Sequence, residues 1–393
     1  MDGILPKEIP WSTERLIIYY HKLKPKLKYK HICMVINQYH RKPLTMRGLK
    51  EIIRKNGLSR RKNITNDEAT EAITLELQTS MSCVGYRQMT EFVSVKYAIN
   101  ISKEDVRLIL KELDPDGVEE RRNRVIKRRR YESNGPWGVF HMDGNDKLKR
   151  FGFAIHGCID GFSRKLMWLS VSTTNNDPLV IANYYLACIK KYKQVPQLLR
   201  MDGGTENIYC RDMQFFFTNS EDSFLNAAST RNQRIEAYWS RLKKFKLSWW
   251  IEFFSDMVRH HIYKPSNEFH QEALLFAFLP VIQLELNESL KVWNARNIRQ
   301  SSSAPGGVPN ILFHIPESIG YRNQGFQTLP EEIEVVEDLV EIQQPPISKE
   351  KDIFDLITCY VHIHNLSVSR DAESALDLFA TILDLFNRDG FEV

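Results

Sequence analysis

Three acidic residues stand where their side chains can meet around a cation. Asp143 ends an apolar segment in HMDGND, Asp202 ends another in RMDGGTEN, and Glu236 lies at the start of a helical segment in RNQRIEAYW. Three unpaired carboxylates repel one another, and Mg²⁺ neutralises such oxygen ligands while keeping positions open for phosphate. The pattern therefore predicts metal-assisted attack on a phosphodiester bond, with one ion at the attacking oxygen and one at the leaving oxygen.

The elements that must position these carboxylates alternate between strands and helices. Asp177-Pro178 has the chemistry of a helix start. The apolar segments predict strands at 137–144, 152–161, 165–173, 197–204 and 223–229, and helices at 179–193, at 207–217 and from about Asn232 onward. This order predicts an α/β domain with a mixed five-stranded sheet. An Asp-Gly pair at a strand end is also ordinary turn chemistry, so neither pair establishes a site by itself.

Residues 131–255 resemble the integrase core of retroviral integrases and related transposases, and most closely a transposon-derived eukaryotic group of integrase-core proteins. The resemblance rests on a long collinear series, HMDGNDKLKRFGFAIHGCIDGFSRKLMWLSVSTTNNDPLVIANYYL, RMDGGTEN, NQRIEAYWSRLKK and WWIEFF. It implies an RNase H-like fold and a DDE-type catalytic triad of Asp143, Asp202 and Glu236 that binds Mg²⁺ or Mn²⁺. The interval before Glu236 is close to the family's D-D-35-E spacing. The family implies DNA and further copies of the chain as partners.

The sequence upstream of this core predicts helices only. Within 85–118, two helical patterns flank a short link, and Ser102 is a good cap for the second helix, with Asp105 three residues on. This is helix-turn-helix geometry, and a plain helical hairpin is the alternative. The segment also resembles the helix-turn-helix that precedes integrase cores in bacterial insertion sequences. His31, Cys33 and His40 lie close together, but no second cysteine has a suitable spacing, so we expect ordinary helix residues there and not zinc ligands.

Basic residues predict where nucleic acid would bind. The segment 121–130, RRNRVIKRRR, fits phosphate binding or nuclear targeting, and a solvated linker is the alternative. Lys243 falls on the helical face of Glu236, where retroviral integrases hold DNA phosphate, although a solvated face fits as well. The predicted DNA-binding residues are Arg121, Arg122, Arg124, Lys127, Arg128, Arg129, Arg130, Arg234, Lys243 and Lys244.

Several neighbours of the carboxylates have structural interpretations. Asp160 ends the second predicted strand, so it should lie at the far end of the sheet from Asp143 and form a turn with Ser163 and Arg164. Glu206 fits an outer position beside Asp202 or a helix N-terminal acid. The aromatic residues of WWIEFF are expected in the core or in a subunit interface.

Composition sets limits on the whole chain. The length of 393 residues suggests two to three domains. Six cysteines occur singly, which predicts neither a disulfide framework nor a cysteine-rich zinc site and favours a reducing compartment. We expect no signal peptide, and we expect no apolar run as long as the roughly 18 residues that a membrane span needs. Two amphipathic helices are predicted near the C-terminus, at 352–366 and 373–390.

These patterns together predict an α/β RNase H-like catalytic domain, preceded by an all-α helix-turn-helix region and followed by a small helical tail. The predicted segments are an N-terminal helical region 1–62, a helix-turn-helix-like region 63–120, a basic linker 121–130, the catalytic core 131–300 and a C-terminal loop and helical tail 301–393. The expected function is a DDE-type integrase or transposase in the nucleus, or otherwise the cytoplasm, without membrane or small-molecule cofactor. A domesticated DNA-binding protein without catalysis and a protein-interaction scaffold are the alternatives.

Overall fold

The computed structural model describes residues 4–23, 27–58, 66–79, 81, 84–97, 99, 101–115, 133–226, 232–300, 305–340 and 344–391. The predicted basic linker 121–130 lies outside these residues. Contacts divide the chain into two compact units that are not contiguous in sequence. The first comprises Met1–Val139, Asp160–Lys165 and Lys291–Gln324, and the second comprises Phe140–Ile159, Leu166–Leu290 and Gly325–Val393.

The amino-terminal part of the first unit is helical. Its helices are α1 (Thr13–Lys22), α2 (Tyr29–Met34), which continues as a π-helix (Val35–Tyr39), α3 (Met46–Lys55), α4 (Asn66–Leu77), α5 (Tyr86–Lys96) and α6 (Lys103–Leu113). Side-chain caps fix several starts: Ser12 accepts from Arg15 N–H, and Ser102 accepts from Asp105 N–H at 3.1 Å. The predicted cap of α6 is therefore confirmed. The helices α4, α5 and α6 contact one another, as a helix-turn-helix or a helical hairpin requires.

Asp160 organises a buried turn in the first unit. Its Oδ1 accepts from Trp137 N–H at 2.9 Å, and its Oδ2 accepts from the N–H and the hydroxyl of Ser163 at 2.7 and 2.6 Å. Trp137 has a left-handed backbone with φ 65°, which this hydrogen bond helps to hold. Burial raises the pKa of Asp160 to about 6, although these hydrogen bonds lower it. The predicted turn with Ser163 and Arg164 is confirmed, and Arg164 N–H donates to the Asp160 carbonyl.

We expect Asp160→Ala to reduce the free energy of unfolding by roughly 3 kcal/mol or more, because it leaves three buried donors without an acceptor. Asp177→Ala is the matched control. Asp177 accepts from one N–H, that of Leu179, and its removal should cost about 1 kcal/mol. Urea unfolding with amide hydrogen exchange at Trp137 and Ser163 measures both. A smaller loss for Asp160→Ala than for Asp177→Ala would contradict the structural role of Asp160.

The second unit contains the predicted sheet. Its strands are β1 (Val139–Asn145), β2 (Ala154–Asp160), β3 (Leu166–Ser172), a short β4 (Gln194–Val195), β5 (Leu198–Met201), β6 (Phe224–Asn226) and a short β7 (Phe326–Gln327). Five of them form one sheet in the order β3-β2-β1-β5-β6. Pairing is antiparallel between β2 and β3 and parallel between β5 and β6, so the sheet is mixed as predicted. The short β4 and β7 form a separate pair that the sequence did not predict.

Helices flank this sheet, which agrees with the RNase H-like fold that the family resemblance implied. The remaining helices are α7 (Pro178–Tyr192), α8 (Ile208–Thr218), α9 (Gln233–Leu242), a π-helix (Lys243–Leu247), α10 (Ser248–Arg259), α11 (Glu268–Ala295), α12 (Pro309–His314), α13 (Pro330–Leu339), α14 (Lys351–Ile363) and α15 (Ala372–Arg388). The start of α7 at Asp177-Pro178 and the two C-terminal helices are confirmed. Every residue of β2 is buried, which explains its nearly continuous apolar sequence.

The 28-residue helix α11 was not predicted from the sequence. By length and composition alone this helix is long and apolar enough to cross a membrane. The expectation from the sequence, that no apolar run approaches that length, overlooked it. Half of its most apolar window is buried, and the core helix of a soluble protein passes the same test. Within the second unit, the side chain of Gln283 on α11 accepts from Val171 N–H and donates to the Leu169 carbonyl, both in β3.

Candidate active site

The three predicted carboxylates lie on the elements that the sequence indicated. Asp143 is on β1 and Asp202 directly follows β5, and these two strands are neighbours in the sheet. Glu236 is in the first turn of α9. One detail of the prediction is wrong: β1 continues to Asn145, so Asp143 lies inside the strand and not at its end. Because successive side chains of a strand point to opposite faces of the sheet, the side chain of Asp143 points away from that of buried Met142.

The three carboxylates influence one another electrostatically. Burial, and then the charges of Asp202 and Glu236, raise the pKa of Asp143 to about 7. Burial and the charge of Asp202 also raise the pKa of Glu236, while Lys147 lowers it. The mutual repulsion is that of an oxygen-only donor set without its own cation, which fits a hard divalent ion. Among the described residues no group of three His, Cys, Asp or Glu side chains is close enough to hold a metal, so a shared ion requires these side chains to turn toward it.

Trp239 fixes the side chain of Asp143. Its indole Nε1–H donates to Asp143 Oδ2 at 2.9 Å. The indole lies against β2 at Gly157, where a Cβ atom would be 2.8 Å from Trp239 Cη2 and 2.9 Å from Leu169 Cδ2. Only glycine therefore leaves room for the indole at this point of the strand. Since Trp239 is on α9, the helix that carries Glu236 also orients Asp143.

Asn232 joins the start of α9 to β1. Its side-chain Nδ2 donates to the Met142 carbonyl at 2.8 Å, and its Oδ1 lies 2.7 Å from His141 Nδ1. Burial lowers the pKa of His141 to about 3, so the neutral imidazole donates to the Asn232 oxygen. Both side chains are buried. This bridge sets the position of Glu236 relative to β1, and sequence reasoning missed it.

Asn207 holds the segment that follows β5. Its Nδ2 donates to the Asp202 carbonyl and to Asp202 Oδ1 at 3.1 and 3.2 Å, and it lies 3.3 Å from Glu206 Oε1. A Cβ atom at Gly204 would lie 1.9 Å from Glu206 Oε1, so the side chain of Glu206 folds over this glycine. Glu206 lies in the first turn of the 3-10 helix Thr205–Asn207, as the helix N-terminal alternative predicted, and Asn207 makes the contact with Asp202.

A polar network follows Asp143 along the chain. Asn175 donates to Asp146 Oδ1 at 2.8 Å, and the ammonium group of Lys149 lies 3.2 Å from Asp146 Oδ2 and 3.1 Å from Asn176 Oδ1. Asp146 and Lys147 follow Asp143 closely in the chain. Both are exposed, and Lys147 is the cation that acts on Glu236.

The predicted basic face of the Glu236 helix is smaller than expected. Lys243 and Lys244 are exposed and Arg234 is half-buried. A π-helix begins at Lys243, so the residues after it leave the α-helical register on which the prediction relied. Lys246, three residues after Lys243, is buried and forms an ion pair with Glu285 at 3.1 Å. The other seven predicted DNA-binding residues lie outside the described ranges.

Aromatic side chains after α9 belong to the core. Trp250 and Phe254 are buried, with ring centroids 5.3 Å apart, and Phe278 lies 5.2 Å from Phe254. The indole of Trp250 donates to Glu285 Oε2 at 2.9 Å. The prediction that these aromatic residues pack inside the protein is confirmed for Trp250 and Phe254.

Two of the three residues considered for zinc, His40 and Cys33, have other partners. His40 Nε2 lies 2.6 Å from the Tyr20 hydroxyl, and its Nδ1 lies 3.2 Å from the Lys7 carbonyl. The Cys33 thiol contacts Met46 Sδ at 3.3 Å. Cys33 and His31 are helix residues, as expected, whereas His40 follows the π-helix.

Comparison with known families agrees with this geometry. Residues 130–315 match the family model of the integrase core domain. This part of the chain is therefore an integrase core domain, and the resemblance inferred from the sequence phrases is confirmed. No curated protein matched the chain.

One similar solved structure is a chain from the cryo-EM structure of the simian T-cell lymphotropic virus intasome in complex with the PP2A regulatory subunit B56 gamma. The identity is 14%, the TM-score is 0.32, and the match covers 64% of this chain and 77% of that chain. A TM-score this low does not place individual residues of the site.

Proposed function

We propose that this protein is a DDE-type integrase or transposase that cleaves DNA and transfers its strands with Mg²⁺ or Mn²⁺. The observation that carries the proposal is the electrostatic coupling of three carboxylates from β1, the end of β5 and α9 within an integrase core domain. Burial, and then their mutual repulsion, raise the pKa of Asp143 and of Glu236. Acids from distant segments that perturb the pKa of a neighbouring carboxyl group are typical of functional sites.

The residues of the chain have separate roles in this proposal. Asp143, Asp202 and Glu236 would hold the divalent ions, which when bound activate the attacking hydroxyl and stabilise the leaving oxygen. Trp239 and Asn207 orient two of these carboxylates through hydrogen bonds. No side chain need form a covalent bond with DNA, so the contribution of the protein is position and charge.

DNA and further copies of the chain are the proposed partners. Exposed Lys243 and Lys244 follow α9 directly and supply positive charge for DNA phosphate beyond the carboxylates. Two DNA ends must be joined in one reaction, which favours an assembly with more than one active site. The nucleus is the compartment that this substrate implies.

The proposal is tested with the full chain, supercoiled plasmid and short duplexes under controlled metal supply. We expect nicking or joining with Mg²⁺ or Mn²⁺, none with excess EDTA, and recovery when metal is restored, because repelling carboxylates cannot position phosphate without a cation. Gel analysis of nicked and joined products measures the reaction. Turnover that persists in EDTA would contradict the metal mechanism. Salt-sensitive binding without turnover under either metal would instead support the non-catalytic DNA-binding alternative.

A further inference from the structure

The first three helices pack around one hydrophobic core, to which Val308, Ile311 and Ile315 also contribute. It contains buried side chains from all three elements: Leu16, Ile17 and Tyr20 from α1, Ile32, Val35 and Ile36 from α2 and its π-helical extension, and Leu49 and Ile53 from α3. Asn56, at the end of α3, donates to Glu14 of α1 at 2.8 Å. The helix α3 contacts both α1 and α2, so one of its faces is fixed inside the unit.

The opposite face of α3 is a row of cations. Arg47, Lys50 and Arg54 follow one another at i, i+3 and i+7, which places them on one side of the helix, and all three are exposed. Lys55 is exposed beside them, and Glu51 is the single acid in this helix. No ion pair joins any of these four cations to another residue that the structure describes. The row therefore has no ion-pair partner among the described residues, and Glu51, at i+4 from Arg47, is the one acid on its side of the helix.

The turn that leads into α3 is held by side-chain hydrogen bonds. The amide of Asn37 donates to the Leu44 carbonyl and accepts from Leu44 N–H, both at 2.6 Å. Lys42 N–H donates to the Ile36 carbonyl at 3.0 Å, and Thr45 caps α3 by accepting from Gly48 N–H at 3.1 Å. A turn fixed at both ends sets the angle between α2 and α3, as a helix-turn-helix motif requires.

The hairpin of α5 and α6, predicted from the sequence to bind DNA, lacks such a row. On α6, the cations Lys103, Arg107 and Lys111 are balanced by Glu104, Asp105 and Glu112. Arg107 is already paired with Glu104. Leu108 and Leu113 are 51% and 40% exposed, so part of this surface is apolar. Its attraction for phosphate is accordingly weaker than that of α3.

We infer that α3 is the helix by which the first unit binds duplex DNA, with Arg47, Lys50 and Arg54 facing the phosphates that border the major groove. An α-helix with its side chains is about 10–12 Å across and the major groove is about 12 Å wide, so the groove accommodates the ten-residue α3. Helix side chains that reach phosphates set the orientation of a protein on the duplex. The inference deepens the proposed function by locating a DNA surface, and it needs none of the three carboxylates.

The experiment compares two triple variants of the full chain that remove the same charge. In the α3 variant, Arg47, Lys50 and Arg54 are replaced by Gln, and in the α6 control, Lys103, Arg107 and Lys111 are replaced by Gln. Fluorescence anisotropy with a mixed-sequence duplex in EDTA measures affinity across salt concentrations. The α3 variant should lose about 30-fold or more in affinity, and its salt dependence should become shallower by about 3 ions, while the control changes less than about threefold.

Circular dichroism of each variant checks that the helices are intact, and the positions are all on the surface. An unchanged affinity in the α3 variant, or an equal loss in both variants, would overturn the assignment. So would a wild-type chain that prefers single-stranded RNA or anionic vesicles to the duplex. Because binding is measured in EDTA, loss of catalysis cannot imitate loss of this surface. A chain that binds through α3 and never cleaves would support the inference and refute the enzymatic proposal.

Discussion

Replacing Asp202 by Asn is expected to lower the rate of DNA cleavage on the order of 1000-fold, with DNA affinity nearly unchanged. The substitution preserves size, and the new side-chain oxygen can still accept from Asn207. It removes one negative charge from the place where a divalent ion would bind. The charge of Asp202 raises the pKa of both Asp143 and Glu236, so both pKa values should fall in the variant. Cleavage kinetics and carboxyl NMR titration of the metal-free protein measure the two effects.

Asp212→Asn is the matched control for this substitution. Asp212 is an exposed acid on α8 that pairs with its neighbour Arg211, so the same charge is lost outside the carboxylate group. We expect activity close to that of the unchanged protein. Strong cleavage by Asp202→Asn would remove Asp202 from the metal-binding set, whatever the behaviour of the control.

Local signals explain why so much of the core could be predicted from the sequence. Short apolar segments with turn residues between them identify strands, and Asp177-Pro178 is itself a helix start. Asp202 and Glu236 could be found because one follows a strand and the other opens a helix, and Asp143 because it lies near the end of β1. In contrast, Trp239 and Asn232 act through hydrogen bonds to residues 96 and 90 positions away, to Asp143 and to the Met142 carbonyl, and a single sequence does not show which distant side chains meet.

Irregular helices account for another part of what was missed. The prediction for Lys243 and Lys244 assumed the regular α-helical repeat, which the π-helix Lys243–Leu247 interrupts. As a result Lys246 enters the core and pairs with Glu285. The two compact units also combine segments far apart in sequence, such as Asp160–Lys165 with Lys291–Gln324. Division of the chain in sequence order cannot anticipate such a combination.

The helix α9 links these observations, because it supports two carboxylates at once. It carries Glu236 in its first turn, and its start is joined to β1 through Asn232. One turn later, Trp239 reaches back to Asp143. A movement of this helix would therefore change the positions of Glu236 and Asp143 together, which makes its packing against β2 at Gly157 part of the geometry of the site.

Trp239→Phe is expected to lower cleavage about 10- to 100-fold at limiting metal, with much of the loss recovered when metal is raised. Phenylalanine keeps an aromatic ring against β2 and removes only the indole N–H that holds Asp143 Oδ2. Without this bond the carboxylate turns more freely and has a higher pKa, since the bond lowers the pKa of Asp143. The readout is the metal concentration at half-maximal cleavage, which a general loss of packing would not shift.

Trp250→Phe provides a control of the same chemistry, because Trp250 donates its indole N–H to Glu285 Oε2 at the same distance of 2.9 Å. It should lose comparable stability and keep the metal requirement of the unchanged protein. Gly157→Ala disturbs Trp239 from the side of β2, because the added Cβ atom would lie 2.8 Å from the indole. This variant should therefore raise the metal requirement, as Trp239→Phe does. An equal shift in Trp250→Phe would mean that Asp143 depends on the stability of the domain and not on its bond to Trp239.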